Sequence, residues 1–307
     1  MKILFPLIFL ILFSCGKVVR HEKIIMNWAE LESKFSNGIV LYYGSNPSIP
    51  LKAWVAKIDL TNPNIKVSIL SSNDYDRRET PLQFSNNHKA DVVINGGYFL
   101  MGKVPAHHVG LLKTNDYLEE PASHSVFREG LRYFINRGAF GVNDNNEVDI
   151  AWCSTKNDSI FEWSSPLDNR PGYPADSLIF SSSKHWNMRD GLHGGPVLIH
   201  NGNINITVEE EVFFNTPVSG VQPRTAIGYT KNMELIMMVV DGRQQNSRGV
   251  YLEELAILLK QFNCEEALNL DGGGSSAMYA DGRLLNKPSG RSTQREVMSA
   301  IGVFYKN

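Results

Sequence analysis

The run Ala267-Leu268-Asn269-Leu270-Asp271-Gly272-Gly273-Gly274-Ser275-Ser276 sets an acid, three glycines and two hydroxyls directly behind a short apolar segment. The apolar part predicts a buried strand, and the glycines predict that it breaks into a tight loop. Three glycines in a row are a poor interior for a helix or strand, because glycine loses the most backbone freedom on folding. They suit a place where the chain turns sharply or where unobstructed backbone N–H groups must approach an anion. Asp271 beside them offers a carboxylate for acid–base or nucleophilic work. Gly272, Gly273 and Gly274, with Ser275 and Ser276, offer donors.

Four further segments have the same punctuation: Asn95-Gly96-Gly97-Tyr98-Phe99, Gly194-Gly195-Pro196, Arg224-Thr225-Ala226-Ile227-Gly228 and Asp241-Gly242-Arg243. Asp241, like Asp271, follows an apolar run, so two carboxylates compete for the catalytic role. Arg224 and Arg243 supply planar forks of donors that match phosphate or carboxylate and keep their charge. Taken singly, each feature has a plainer reading. Asp-Gly is a common turn, an isolated arginine is a surface ion pair, and Asn95-Gly96-Gly97 could be a bulge. Asp271 could cap a helix or bind calcium, although the alternating acids of an EF-hand loop are missing. His107, His108 and His193 lie beside glycine-rich turns and could line a cleft, but no histidine pair has zinc-motif spacing. No cofactor is expected on these residues, and a divalent metal is left open.

In combination and in this order, the segments resemble the phosphodiester glycosidase family. The resemblance is strongest from Pro223 to Phe304, through the arginine, Asp-Gly-Arg and triple-glycine motifs, the Leu252-Glu253-Glu254-Leu255-Ala256 segment and Ala300-Ile301-Gly302-Val303. Weaker matches reach back to Asn95 and Gly194. The family's arginine followed by proline and valine stands here as Arg295-Glu296-Val297, with Gln294 where an acid is common. The resemblance implies hydrolysis of a sugar held through its anomeric oxygen to a phosphodiester. Phosphate leaves far more readily than a sugar alkoxide, so the general acid of ordinary glycosidases matters less. One carboxylate, Asp271 or Asp241, would attack or activate water, with Asp271 preferred because its loop is the more specialised. Arg224, Arg243, Arg295, Asn95, the glycine N–H groups and the two serines would hold phosphate or sugar. Three other readings stand beside this: a glycan-binding protein without turnover, a phosphodiesterase cleaving P–O, and a serine hydrolase using Ser275. The last lacks the Gly-x-Ser-x-Gly elbow.

The elements that must position these residues read as β-rich. Ile39–Tyr43, Ala53–Leu60, Ile65–Leu70, Asp91–Asn95, Val197–His200, Ala226–Tyr229 and Leu235–Val240 are short β-branched or aromatic runs between turn residues. Ala139–Trp152 predicts a hairpin around Asn143-Asp144-Asn145-Asn146. Tyr251–Phe262 has helical spacing and leads into the strand carrying Asp271. Asn27 followed by Glu30 predicts a capped helix ending near Gly38. The polar stretch from Ser154 to Arg189 predicts loops forming a lid or binding wall. The fold expected is α+β, a mixed twisted β-sheet core with few helices in a single catalytic domain.

Residues 1–15 read as a signal peptide whose Leu12-Phe13-Ser14-Cys15 ending resembles a bacterial lipobox, making Cys15 the lipidation site. Residues 16–26 then form a tether and 27–307 the phosphodiester glycosidase-like domain. This implies a lipid-anchored protein of the bacterial cell envelope acting on a glycosyl phosphodiester or glycan. With 30 basic and 32 acidic residues, nothing suggests a nucleic-acid partner. Cys153 and Cys264 could pair or remain buried thiols.

Overall fold

A computed structural model describes residues 24–35, 37–291 and 293–306. The signal segment and Cys15 lie outside them. An eight-stranded sheet forms the backbone of the fold, in the spatial order Asn27–Leu31, Ile39–Ser45, Lys52–Asp59, Glu234–Val240, Arg224–Thr230, Cys264–Asn269, Val197–His200 and Asn203–Ile204. A seven-stranded sheet centred on Arg137–Val142 and Val148–Lys156 and a five-stranded sheet centred on Val92–Asn95 and Ser299–Tyr305 pack against it. The hairpin expected around residues 143–146 is present, with Val142 opposite Val148.

Side-chain alternation explains the layers. Along Lys52–Asp59, Trp54, Ala56 and Ile58 enter a core shared with Ile69, Ile94, Phe140 and Ile301 of the other sheets. Ala53 and Val55 point the opposite way, onto Leu252, Leu255, Ala256 and Leu259 of the helix Leu252–Lys260. The helix thus caps one face of the large sheet and the smaller sheets cover the other. Two α-helices appear among the described residues, which agrees with the sheet-rich domain of few helices. Among the described residues the strand pairings are all antiparallel, for example Arg224 opposite Val240 and Ala226 opposite Asn269, which refines the expected mixture.

Three local expectations change. Asn27–Leu31 is an edge strand paired with Ile39–Ser45, not a helix. The Trp28 ring covers Gly44 and meets Phe262 edge-on at 4.9 Å, and its Nε1 donates to Gln261 at 2.8 Å. Those distant contacts outweigh a local capping signal. The end of the expected tether is packed as well, since Ile24 and Met26 are buried beside Leu51 and Val55. A helix not anticipated spans Pro81–His88, with Thr80 and Gln83 forming a capping box and Pro81 in the first turn.

Candidate active site

Strand ends from two sheets converge on one pocket. Asn269 ends the strand that delivers Asp271, Arg224 begins its neighbour, and Asn95 ends a strand of the five-stranded sheet. Asn95 is fully buried and ties the three together. Its Nδ2 donates to the Asp271 carbonyl at 2.7 Å, while its Oδ1 accepts from Thr225 Oγ1 at 2.6 Å and from the Ala277 N–H at 3.2 Å. Expected as a phosphate or sugar contact, Asn95 instead holds the Asp271 loop, because all its polar capacity is turned inward.

Asp271 lines a cavity of about 280 Å³ together with Arg224, Arg243, Arg295 and the three glycines. Its Oδ1 accepts from the Gly272 N–H at 2.8 Å. Burial raises the carboxyl to about 6, against the opposing pull of the Ser275 hydroxyl, the Gly272 N–H and Arg295. Arg295 Nη1 reaches Ser275 Oγ at 3.5 Å, and a Cβ on Gly274 would collide with the Arg295 guanidinium. Gly273 takes φ +64° beneath the Arg243 guanidinium. These two glycines are therefore needed for the loop to lie flat under two arginines.

Not all three glycine N–H groups remain available. Gly272 donates to Asp271 and Gly273 to the Pro223 carbonyl at 3.0 Å. The Gly274 N–H has no acceptor among the described residues. The expected anion cradle thus narrows to one backbone donor and the arginines. Ser276 is fully buried, its carbonyl bound by Asn286 and its hydroxyl without a partner, so it does not face the pocket. Ser275 is buried as well and acts through Asp271 and Arg295.

Each arginine is held differently. Arg224 is buried, and burial lowers it to about 10. Its Nε donates to the Val250 carbonyl at 3.2 Å, and its Nη2 to those of Val218 and Gly220 at 2.8 and 2.5 Å. Nη1 has no hydrogen-bond partner among the described residues, and the residue lines the cavity. Arg243 donates from Nε and Nη2 to Gln222 Oε1 at 3.1 and 2.5 Å. Tyr98 forms part of the wall, donating to the Gly195 carbonyl at 2.9 Å and accepting from Asn269 Nδ2 at 2.8 Å. Burial and the neighbouring Asp271 raise its hydroxyl.

Asp241 is not brought into this pocket. It is buried, with Oδ1 accepting from Asn286 Nδ2 at 2.9 Å and both oxygens from the Lys287 N–H at 3.2 Å. Its carboxylate fastens the 286–287 turn, which is why an acid stands after that apolar strand. His108 and His193 do not face it either. They are buried behind Gly97 and Gly110, and desolvation pushes them down to about 4 and 3. The polar segment expected as a lid does not line the pocket, whose outer wall is Pro217, Val218 and Gln222. Sequence reasoning missed those residues and Tyr98. Tyr98 lay inside the Asn-Gly-Gly-Tyr-Phe motif, whereas nothing local marks the 217–222 turn.

A sheet-rich domain with one carboxylate beneath three arginines is the class that this geometry defines. The domain family described as phosphodiester glycosidase matches residues 88–304, and the chain belongs to that family. N-acetylglucosamine-1-phosphodiester alpha-N-acetylglucosaminidase of Bos taurus is 36% identical over 107 residues, covering 32% of this chain and 20% of the relative. The Mus musculus protein of the same name is 37% identical over the same length. The chain thus spans about a fifth of these curated relatives. Among solved structures, a hypothetical protein from Synechocystis has a TM-score of 0.63 at 18% identity, covering 92% of this chain and 62% of that one. The zebrafish N-acetylglucosamine-1-phosphodiester alpha-N-acetylglucosaminidase catalytic domain, auto-inhibited by its pro-peptide, has 0.57 at 20%, covering 95% and 86%. These structural likenesses concern the fold.

Proposed function

We propose that the chain hydrolyses a sugar-1-phosphodiester at the glycosidic bond, on a glycan of the bacterial envelope to which Cys15 would tether it. The observation that carries this reading is the pocket's composition: one carboxylate, Asp271, facing Arg224, Arg243 and Arg295. A glycosidase acting on an alkoxide leaving group needs a second carboxyl as acid. A phosphate already carries its charge away, and fixed guanidinium groups stabilise it as the bond breaks. Water adds to the anomeric carbon, the bond from that carbon to the phosphate oxygen breaks, and a free sugar and a phosphomonoester result. Asp271, ionised above about pH 6, attacks the carbon or takes the proton of the attacking water.

The test is to incubate the chain with a panel of sugar-1-phosphodiesters in ¹⁸O-water and identify both products. Label in the sugar supports C–O cleavage, and label in the phosphate overturns it in favour of a phosphodiesterase. Tight binding across the panel without turnover would make the protein a glycan binder. Envelope attachment is tested by whether Cys15→Ala releases the protein from the membrane fraction.

A further inference from the structure

A second polar trough lies at the end of the sheets away from Asp271. The strand Ser299–Tyr305 links the two places. Its Ser299 accepts from the Gly97 N–H, next to the Gly96 carbonyl that receives the Asp271 N–H, whereas Lys306 beyond its other end donates from its backbone to Asn64. At 3.3 Å per residue the separation is roughly 20 Å. Cavities of about 550, 820 and 590 Å³ adjoin one another; the middle one reaches Asn64, Lys66 and Lys306 at that end, while the last is lined by Leu70 and Ser71, which pair with Ala300 and Ser299. The first two share Arg189, Asp144 and Asn145 as walls, and the last two share Asn115 and Leu70. Each falls within the range of ligand sites, and each is larger than the cavity at Asp271.

The middle cavity has a definite chemistry. Lys66, Arg189 and Lys306 face a single carboxylate, Asp144. Arg189 is a fixed cation, with a side chain only 10% exposed. Its Nη2 is bound to Asp190 Oδ2 at 2.7 Å and the Val67 carbonyl at 3.0 Å, while Nη1 has only Asp144 at 4.0 Å. Lys66 and Lys306 form no ion pair among the described residues. The side-chain amides of Asn64, Asn115 and Asn145 are likewise without hydrogen bonds there, and each offers two donors and an acceptor. Beneath them lie Leu70 and the half-buried Phe304. Free amides match ring hydroxyls, apolar groups match the C–H faces of sugars, and the two unpaired lysines match negative charge between them.

We propose that this middle cavity binds a phosphate-bearing segment of an anionic polysaccharide chain at a distance from the cleavage pocket. The proposal rests on the reading that the enzyme acts on a sugar phosphodiester. A polymer held at both places gains effective concentration at Asp271 without any new contact in the pocket.

The experiment uses Asp271→Asn protein, to keep the polymer intact, and measures by calorimetry its affinity for a poly(hexose-1-phosphate) with and without Lys66→Glu/Lys306→Glu. Both lysines are exposed, so the fold should tolerate the exchange. The expected result is an affinity loss of at least about tenfold, with no change for neutral dextran. Lys66→Glu/Lys306→Glu alone should turn over a short sugar-1-phosphodiester at the wild-type rate. Unchanged polymer affinity would overturn the proposal. So would lysine-dependent binding to phosphatidylglycerol vesicles but not to the polymer, which would mark a membrane-facing surface. If the wild-type chain fails on every short substrate, the proposed reaction fails, while the trough is still decided by polymer binding.

Discussion

At the scale of single residues, the chemistry proposed for Asp271 has a measurable pH signature. Asp271→Asn should lower kcat by at least ~10² while the circular dichroism spectrum stays native; near-wild-type turnover would remove Asp271 from the reaction. Because burial raises its carboxyl to about 6, kcat/KM should climb as pH rises through about 6 and level off above. Stability moves the opposite way. The folded state holds this proton more tightly than an unfolded carboxyl near ~3.9, so its contribution is complete below that value and is lost as pH rises towards about 6. Asp271→Asn should therefore melt above wild type at neutral pH, and the gap should close in acid. Arg224 lines the pocket while its Nε and Nη2 hold three carbonyls. Arg224→Lys cannot reproduce that fork. It should impair phosphodiester substrates more than a neutral aryl glycoside, and should lower stability by about 1–3 kcal/mol in a urea titration.

At the scale of elements, the turns on either side of the pocket have separate roles. The triple-glycine turn shapes the surface on which the arginines rest. Gly274→Ala would push the Arg295 guanidinium aside, so KM for a sugar phosphodiester should rise with little change in melting temperature. The Asp241 turn is a structural clasp. Asp241→Ala leaves the Asn286 amide and the Lys287 N–H without their acceptor, which should cost about 1–3 kcal/mol of stability while kcat of the folded fraction stays close to wild type. A collapse of kcat at unchanged stability would restore Asp241 as a catalytic candidate. The two elements also differ in how readable they were. Asp271 and Asp241 stand in similar sequence settings, each an acid followed by glycine after an apolar strand. Only the partner 45 residues on, Asn286, distinguishes the clasp from the carboxylate that lines the pocket, and no spacing rule links 241 to 286.

At the scale of the whole molecule, the stacked sheets isolate the thiols and separate the two polar surfaces. Cys153 and Cys264 are free and buried in different clusters, and burial raises both, Cys264 to about 12. A thiol-reactive dye should label neither in the native domain and both after denaturation; rapid native labelling would contradict this packing. The helix at 252–260 was legible because its apolar stripe matches one face of one sheet. The helix expected at residue 27 was not there, because the fate of that segment depends on Gly44 and Phe262, which local signals do not report.

Residue order by itself marked the segments that are candidates for chemistry: glycines, arginines and acids at strand ends stand out by local conformational cost and by charge, both of which are properties of short runs. It also indicated a sheet-rich domain, since alternation is a local pattern. Only the tertiary structure decided that Asp271 faces the arginines while Asp241 faces Asn286, that two of three glycine N–H groups are already used, and that Asn95 is a brace. Those outcomes depend on which strand ends meet, and burial then fixes which polar groups find partners inside and which are left for a ligand.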